Sequence, residues 1–123
     1  MIAHTGLAVR DFPAAKLFYE RALAPLGYQA KMETGESAGF NDGTNTDFWI
    51  GKGASVEPAH VAFEAKSKEE VEAFHRAALA AGGKDNGRPG YRKQYWPGYY
   101  AAFVYDPDGH NIEAVWYDYS VAE

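Results

Sequence analysis

The chain contains no cysteine. That excludes a disulfide scaffold, a thiolate metal site and a cysteine nucleophile, so any metal would rest on histidine and carboxylate. No apolar run approaches the ~20 residues needed to span a bilayer. The opening Met-Ile-Ala-His-Thr-Gly lacks the basic and apolar regions of a secretory signal. A soluble, cytoplasmic protein with no membrane partner is expected. Positive charge is scarce: 12 lysines and arginines face 17 aspartates and glutamates, a net charge of −5. Affinity for nucleic acid rests on phosphate neutralisation, so nucleic acid is not an expected partner. What remains is 123 residues, the size of a single domain that buries about two-thirds of its surface without staples. Aromatics are abundant at 15%, and many of them lie between Tyr91 and Tyr119.

The chain repeats itself at an offset of 56 residues. Residues 3–28 then fall on residues 59–84 without a gap, matching Ala3/Ala59, His4/His60, Phe18/Phe74, Ala22/Ala78, Leu23/Leu79, Ala24/Ala80 and Gly27/Gly83. Two alanine-rich helices would match at alanine, but the histidine and glycine matches fall outside that bias and indicate a duplication. Each unit opens with a strand-like run, residues 2–9 and 59–65. A helix follows. Asp11 can cap the first, and Ser67 with Glu70 forms a capping-box pattern for the second. Val71, Phe74, His75, Ala78 and Leu79 make one buried stripe. Gly27 and Gly83 are expected to stop the helices.

Strands at residues 99–105 and 111–117 are joined by Asp106-Pro107-Asp108-Gly109, a strong turn signal. A weaker version joins residues 37–40 to 47–50 around Asn41-Asp42-Gly43. Aligning the two turns needs an offset of 66, so the second unit carries ten extra residues between Gly83 and Tyr99. With a short strand near residues 28–33, each unit reads β-α-β-β-β. The prediction is one α+β domain, residues 1–123, of two tandem units at about 1–53 and 57–119, with eight strands and two helices.

Of the four histidines, His75 and His110 read as structural. His4 and His60 differ, because the duplication relates them: a pseudo-twofold axis beside the opening strands would point both imidazoles at one site. Neutral ring nitrogens on rigid strands suit a metal, with carboxylate completing the set. At the 66-residue offset Asp47 falls on Glu113, each in the last strand of its unit. Ile112, Ala114 and Trp116 would share one face of that strand, and Glu113, Val115 and Tyr117 the other. A carboxylate among apolar neighbours is costly unless paired or metal-bound. His4, His60 and Glu113 would form a two-histidine, one-carboxylate facial triad. Asp47 would be a fourth ligand, one methylene shorter than glutamate. Taken alone, Glu113 reads equally as a strand residue with a basic partner.

The paired βαβββ plan, the opening histidines and the ending Asp106-Pro-Asp-Gly-His-Asn-Ile-Glu-Ala-Val115 resemble the glyoxalase/bleomycin resistance/dioxygenase superfamily, the vicinal oxygen chelate proteins, over nearly the whole chain. The resemblance implies a mixed eight-stranded sheet curled around a cavity. It also implies a divalent metal, Zn, Ni, Fe or Mn, held at positions matching His4, His60 and Glu113. In glyoxalase I a glutamate stands where this chain has Asp47. The chemistry implied is bidentate chelation of a small oxygenated substrate by the metal, with Glu113 as the group that exchanges protons. Single-chain members commonly pair, so a homodimer is expected, with His4 from one chain and His60 and Glu113 from the other, or else a site closed within one chain.

The ten-residue excess lies in residues 84–98, which combine Arg88, Arg92 and Lys93 with Tyr91, Tyr95 and Trp96. It reads as a lid offering aromatic walls and a cation to an anionic substrate, or as a loop covering a sheet edge. Arg92 and Trp96 are the main candidates for substrate contact, with Trp49, Tyr95 and Tyr99 as further aromatic lining. Three functions stand together: a metal-dependent lyase or isomerase of glyoxalase type; a metal-free protein that sequesters an aromatic or cationic small molecule; and an Fe(II) dioxygenase on the same triad.

Overall fold

The structure is a computed structural model in which residues 1–121 are described. The order is β1 (Thr5–Val9), α1 (Phe12–Leu23), a short 3-10 turn (Ala24–Leu26), β2 (Gln29–Thr34), β3 (Ser37–Asn41), β4 (Thr46–Lys52), β5 (His60–Glu64), α2 (Lys68–Ala80), β6 (Lys84–Tyr91), β7 (Tyr99–Tyr105) and β8 (Asn111–Tyr117). This is the β-α-β-β-β plan twice. The strands form two four-stranded sheets, ordered β1-β4-β3-β2 and β5-β8-β7-β6. Each opening strand pairs in parallel with the last strand of its own unit, and the remaining pairs are antiparallel. The two sheets do not join into one closed eight-stranded sheet within the chain. No helix among the described residues is long and apolar enough to cross a membrane.

Local chemistry sets the helix ends. Asp11 accepts from the Ala14 amide at 3.1 Å, and Ser67 Oγ accepts from the Glu70 amide at 3.1 Å. Glu70 reaches back to the Lys66 amide rather than to that of Ser67, one residue beyond the usual capping box. The two aligned glycines have different roles. Gly27 is left-handed at φ 87° and ends the first helical stretch. After α2 it is Gly82, at φ 103°, that turns the chain. Gly83 is held to glycine by space: a Cβ there would lie 2.9 Å from both the Ala78 carbonyl and the Phe18 ring.

The residues expected to form a lid are mostly strand, for β6 occupies Lys84–Tyr91 and pairs with β7. Glycine and proline punctuation made this stretch read as loop. The strand accommodates it through register breaks between Asp85 and Gly87 and between Gly87 and Gly90. Only residues 92–98 remain as a connection.

One core unites the units. Val71, Phe74 and Ala78 of α2 are buried with Phe18, Tyr19 and Ala22 of α1, and Phe48 and Phe63 meet edge to face at 5.0 Å. Each such ring contributes roughly 1.5–3 kcal/mol by leaving water. The hairpin turn before β8 locks the units together. Asp106, 4% exposed, accepts from the Asp108 and His110 amides through Oδ1 and from the Tyr19 hydroxyl through Oδ2. Asp108 accepts from the backbone and guanidinium of Arg10, both at 3.1 Å. His110, 1% exposed, takes the Ala59 amide on Nδ1 at 3.0 Å and donates from Nε2 to the Ala8 carbonyl at 2.8 Å. His75 is structural too, its Nε2 lying 2.9 Å from Asp85 of β6.

Candidate functional site

Alternation along β8 decides what faces where. Ile112 and Ala114 are in the core beneath α2, so Glu113, Val115 and Tyr117 lie on the helix-free face of the second sheet. In register, β5 sets Ala62 beside Glu113, one step of the alternation from His60, and β7 sets Phe103 opposite Glu113 and Tyr99 opposite Tyr117. His60 Nε2 is 2.9 Å from Glu113 Oε1. The hydroxyl of Tyr99 donates to Glu113 Oε2 in a short hydrogen bond. The Glu113 side chain is 2% exposed and that of His60 51%, so the carboxylate is the floor and the imidazole the rim. Burial, and then the bond to Glu113, push the Tyr99 phenol well above its ordinary pKa and keep it a donor. Among the described residues no lysine or arginine pairs with Glu113.

Aromatic side chains surround this pair. Tyr99 meets Tyr95 at 5.2 Å and Tyr117 at 5.6 Å, and Trp96 meets Tyr117 at 6.4 Å and Tyr119 at 5.5 Å, all edge-on. Phe103 lies 6.4 Å from the His60 ring, and the Arg92 guanidinium lies 5.3 Å from the same Phe103. Of the residues expected to touch substrate, Arg92, Tyr95, Trp96 and Tyr99 therefore gather on this sheet. Trp49 does not: its indole lies across Gly39 on the first sheet, where a Cβ on Gly39 would be 2.8 Å from the ring. Sequence reasoning missed Phe103 and gave no role to Tyr117 or Tyr119, although alternation from Glu113 reaches Tyr117.

A divalent cation suits the chemistry of His60 and Glu113. The buried carboxylate has no lysine or arginine partner among the described residues, and an imidazole nitrogen faces one of its oxygens. Two donors are one short of a facial triad. Among the described residues, no three His, Asp or Glu side chains come together to hold a metal. The His110 bridge between Ala8 and Ala59 brings the end of β1 to the start of β5. Ile2 and Thr5, which flank His4, line the same cleft as His60. Asp47 is apart from Glu113. It accepts from the Tyr28 hydroxyl at 3.2 Å, and its Oδ1 is buried without a hydrogen-bond partner. Burial and the Asp47 charge together raise the Tyr28 phenol pKa. Asp47 and His60 do line one cleft of about 930 Å³ between the sheets, with Tyr28, Glu64, Trp116 and Tyr117.

The family model for the glyoxalase/bleomycin resistance protein/dioxygenase superfamily matches residues 1–114. Among solved structures, the chain is similar to a glyoxalase/bleomycin resistance protein from Albidiferax ferrireducens T118, with 28% identity, a TM-score of 0.80 and coverage of 93% of this chain and 96% of that one. It shares its fold with a glyoxalase/bleomycin resistance protein/dioxygenase family enzyme from Burkholderia phytofirmans PsJN, at 17% identity, a TM-score of 0.74 and coverage of 95% and 98%. The same fold is found in a lactoylglutathione lyase from Agrobacterium tumefaciens, at 21% identity, a TM-score of 0.69 and coverage of 94% and 92%. No curated protein matches the chain. The duplicated β-α-β-β-β plan, its two mixed sheets and the match over residues 1–114 place this chain in the glyoxalase/bleomycin resistance protein/dioxygenase superfamily.

Proposed function

We propose that the chain is a metal-dependent enzyme of glyoxalase type, a lyase or isomerase of a small oxygenated substrate. It would work in the cytoplasm as a homodimer, with no nucleic-acid partner. The observation that carries this reading is Glu113: a carboxylate 2% exposed, facing His60, with no lysine or arginine paired to it among the described residues. His60 and Glu113 would hold the metal, and His4 of a second copy is the donor that one chain does not bring to them. Asp47 would be a further ligand through Oδ1, since its Oδ2 accepts from Tyr28.

A bound Zn, Ni, Fe or Mn ion would supply Lewis-acid polarisation of vicinal substrate oxygens. The chain's own residues do the rest. Glu113 takes a proton from the substrate carbon and returns it at the neighbouring one, as a carboxylate held close to a polarised group can. Tyr99 orients Glu113 through Oε2 and keeps that oxygen from turning away. Tyr95, Trp96 and Tyr117 would give the face aromatic walls for a substrate.

Metal analysis after expression in metal-replete medium tests the reading. Near-stoichiometric zinc or nickel is expected, and iron would favour the dioxygenase alternative. His60→Ala should lose the metal while its circular dichroism and melting temperature stay near the parent's. No metal in the parent would leave the metal-free sequestering protein, for which the ring cluster of Tyr95, Trp96, Tyr99, Tyr117 and Tyr119 would be the binding surface.

A further inference from the structure

The guanidinium of Arg92 is built into the second sheet. Nη1 donates to the Gly90 carbonyl at 2.9 Å and Nη2 to the Arg88 carbonyl at 2.8 Å. Its plane sits over Phe103 at 5.3 Å. Two glycines clear its seat: a Cβ on Gly87 would lie 2.9 Å from Nη2, and one on Gly90 would lie 3.2 Å from Nη1. The register breaks of β6 fall at these same glycines, so the strand departs from regular pairing where the guanidinium is seated.

Among the described residues that cation has no counter-ion. Arg92 is half-buried and forms no ion pair among the described residues, whereas Arg10, Lys16 and Lys52 each do. A guanidinium carries five N–H donors, and the two carbonyls use only part of them. Holding two carbonyls in place needs a donor, not a charge. A fixed, unpaired cation on an aromatic shelf is a receptor for a planar anion, and a carboxylate matches its fork. The other side of the shelf belongs to the site: Phe103 is opposite Glu113 in register and 6.4 Å from the His60 ring.

We propose that Arg92 is the carboxylate-recognising residue of this face, and that the ligand is a small planar carboxylic acid whose ring or conjugated chain lies along Phe103 towards His60 and Glu113. The inference rests on the preceding reading for the place of the site, and names the class of its substrate.

The probes are benzoate and its neutral near-isostere benzamide, titrated into the full-length protein with and without zinc. Binding is followed by nuclear magnetic resonance at the Arg92 Nε–H and by calorimetry. Benzoate should bind at least tenfold more tightly than benzamide and move the Arg92 signal to saturation. Arg92→Gln keeps an amide donor for the strand carbonyls but removes the charge, and it should bind the two probes about equally. Equal affinity of the two probes for the parent, no benzoate binding under either condition, or a preference retained in Arg92→Gln would overturn the proposal. The parent comparison needs no variant, so misfolding of Arg92→Gln leaves the test intact. Zinc content, measured on the same samples, judges the metal reading separately: benzoate preference without zinc binding sinks that reading and keeps this one.

Discussion

At Glu113 and Asp106 one residue class serves two purposes, and the partners decide which. Asp106 is buried with two amides and a tyrosine hydroxyl on its oxygens, so its charge is spent within the fold. Glu113 is as buried, but its partners are an imidazole at the rim and a phenol on the helix-free face of the sheet. The sequence carried both signals: Asp106 through the turn motif, and Glu113 through a carboxylate set in an apolar strand. It could not carry Phe103, an ordinary strand aromatic until the register sets it opposite Glu113. A prediction at this scale concerns Tyr19, whose pKa burial raises first and the Asp106 charge second. Tyr19→Phe removes one donor from a buried carboxylate and should cost about 1–3 kcal/mol in urea unfolding. An unchanged midpoint would mean that the turn holds the two units together without that bond.

Among the elements, the strands and helices that follow a clean period were legible and β6 was not. Helix α2 shows its stripe and its cap in the sequence, and β7 and β8 flank a strong turn. Strand β6 reads as a loop because Gly87, Pro89 and Gly90 break its pattern; pairing with β7 and the seating of Arg92 hold it extended. The turn between β3 and β4 is weaker in sequence yet has its own lock. The Asn45 amide first, and the Thr44 amide second, hold the Asp42 carboxyl below its ordinary pKa. Its folded pKa is depressed, so the stabilisation is complete above the unfolded value of about 3.9 and is lost as pH falls through the folded one. Asp42→Ala should therefore flatten the acid limb of the stability profile below pH ~4 and leave the shape near neutrality unchanged. Thermal melts across that range check it, and parallel acid limbs in the parent and variant would refute it.

Across the whole molecule, the duplication makes each unit legible and their mutual placement not. Two related units can meet in more than one way. The choice here falls to nonlocal side chains, His110 between Ala8 and Ala59 and Asp108 on Arg10, which no periodicity marks. Ile2 and Thr5, which flank His4, line the same cleft as His60. The pseudo-symmetry that singled out His4 and His60 does not gather them with Glu113 into a metal-holding group among the described residues. The proposed metal centre would be completed between two copies. Mixing His4→Ala and Glu113→Ala chains under refolding conditions tests it most directly. Each variant alone should lack stoichiometric zinc. Random pairing puts half of the chains in mixed pairs, and each mixed pair restores one of its two sites, so the mixture should regain about a quarter of the parent's zinc. Zinc retained in full by His4→Ala alone, or none regained on mixing, would contradict a shared site.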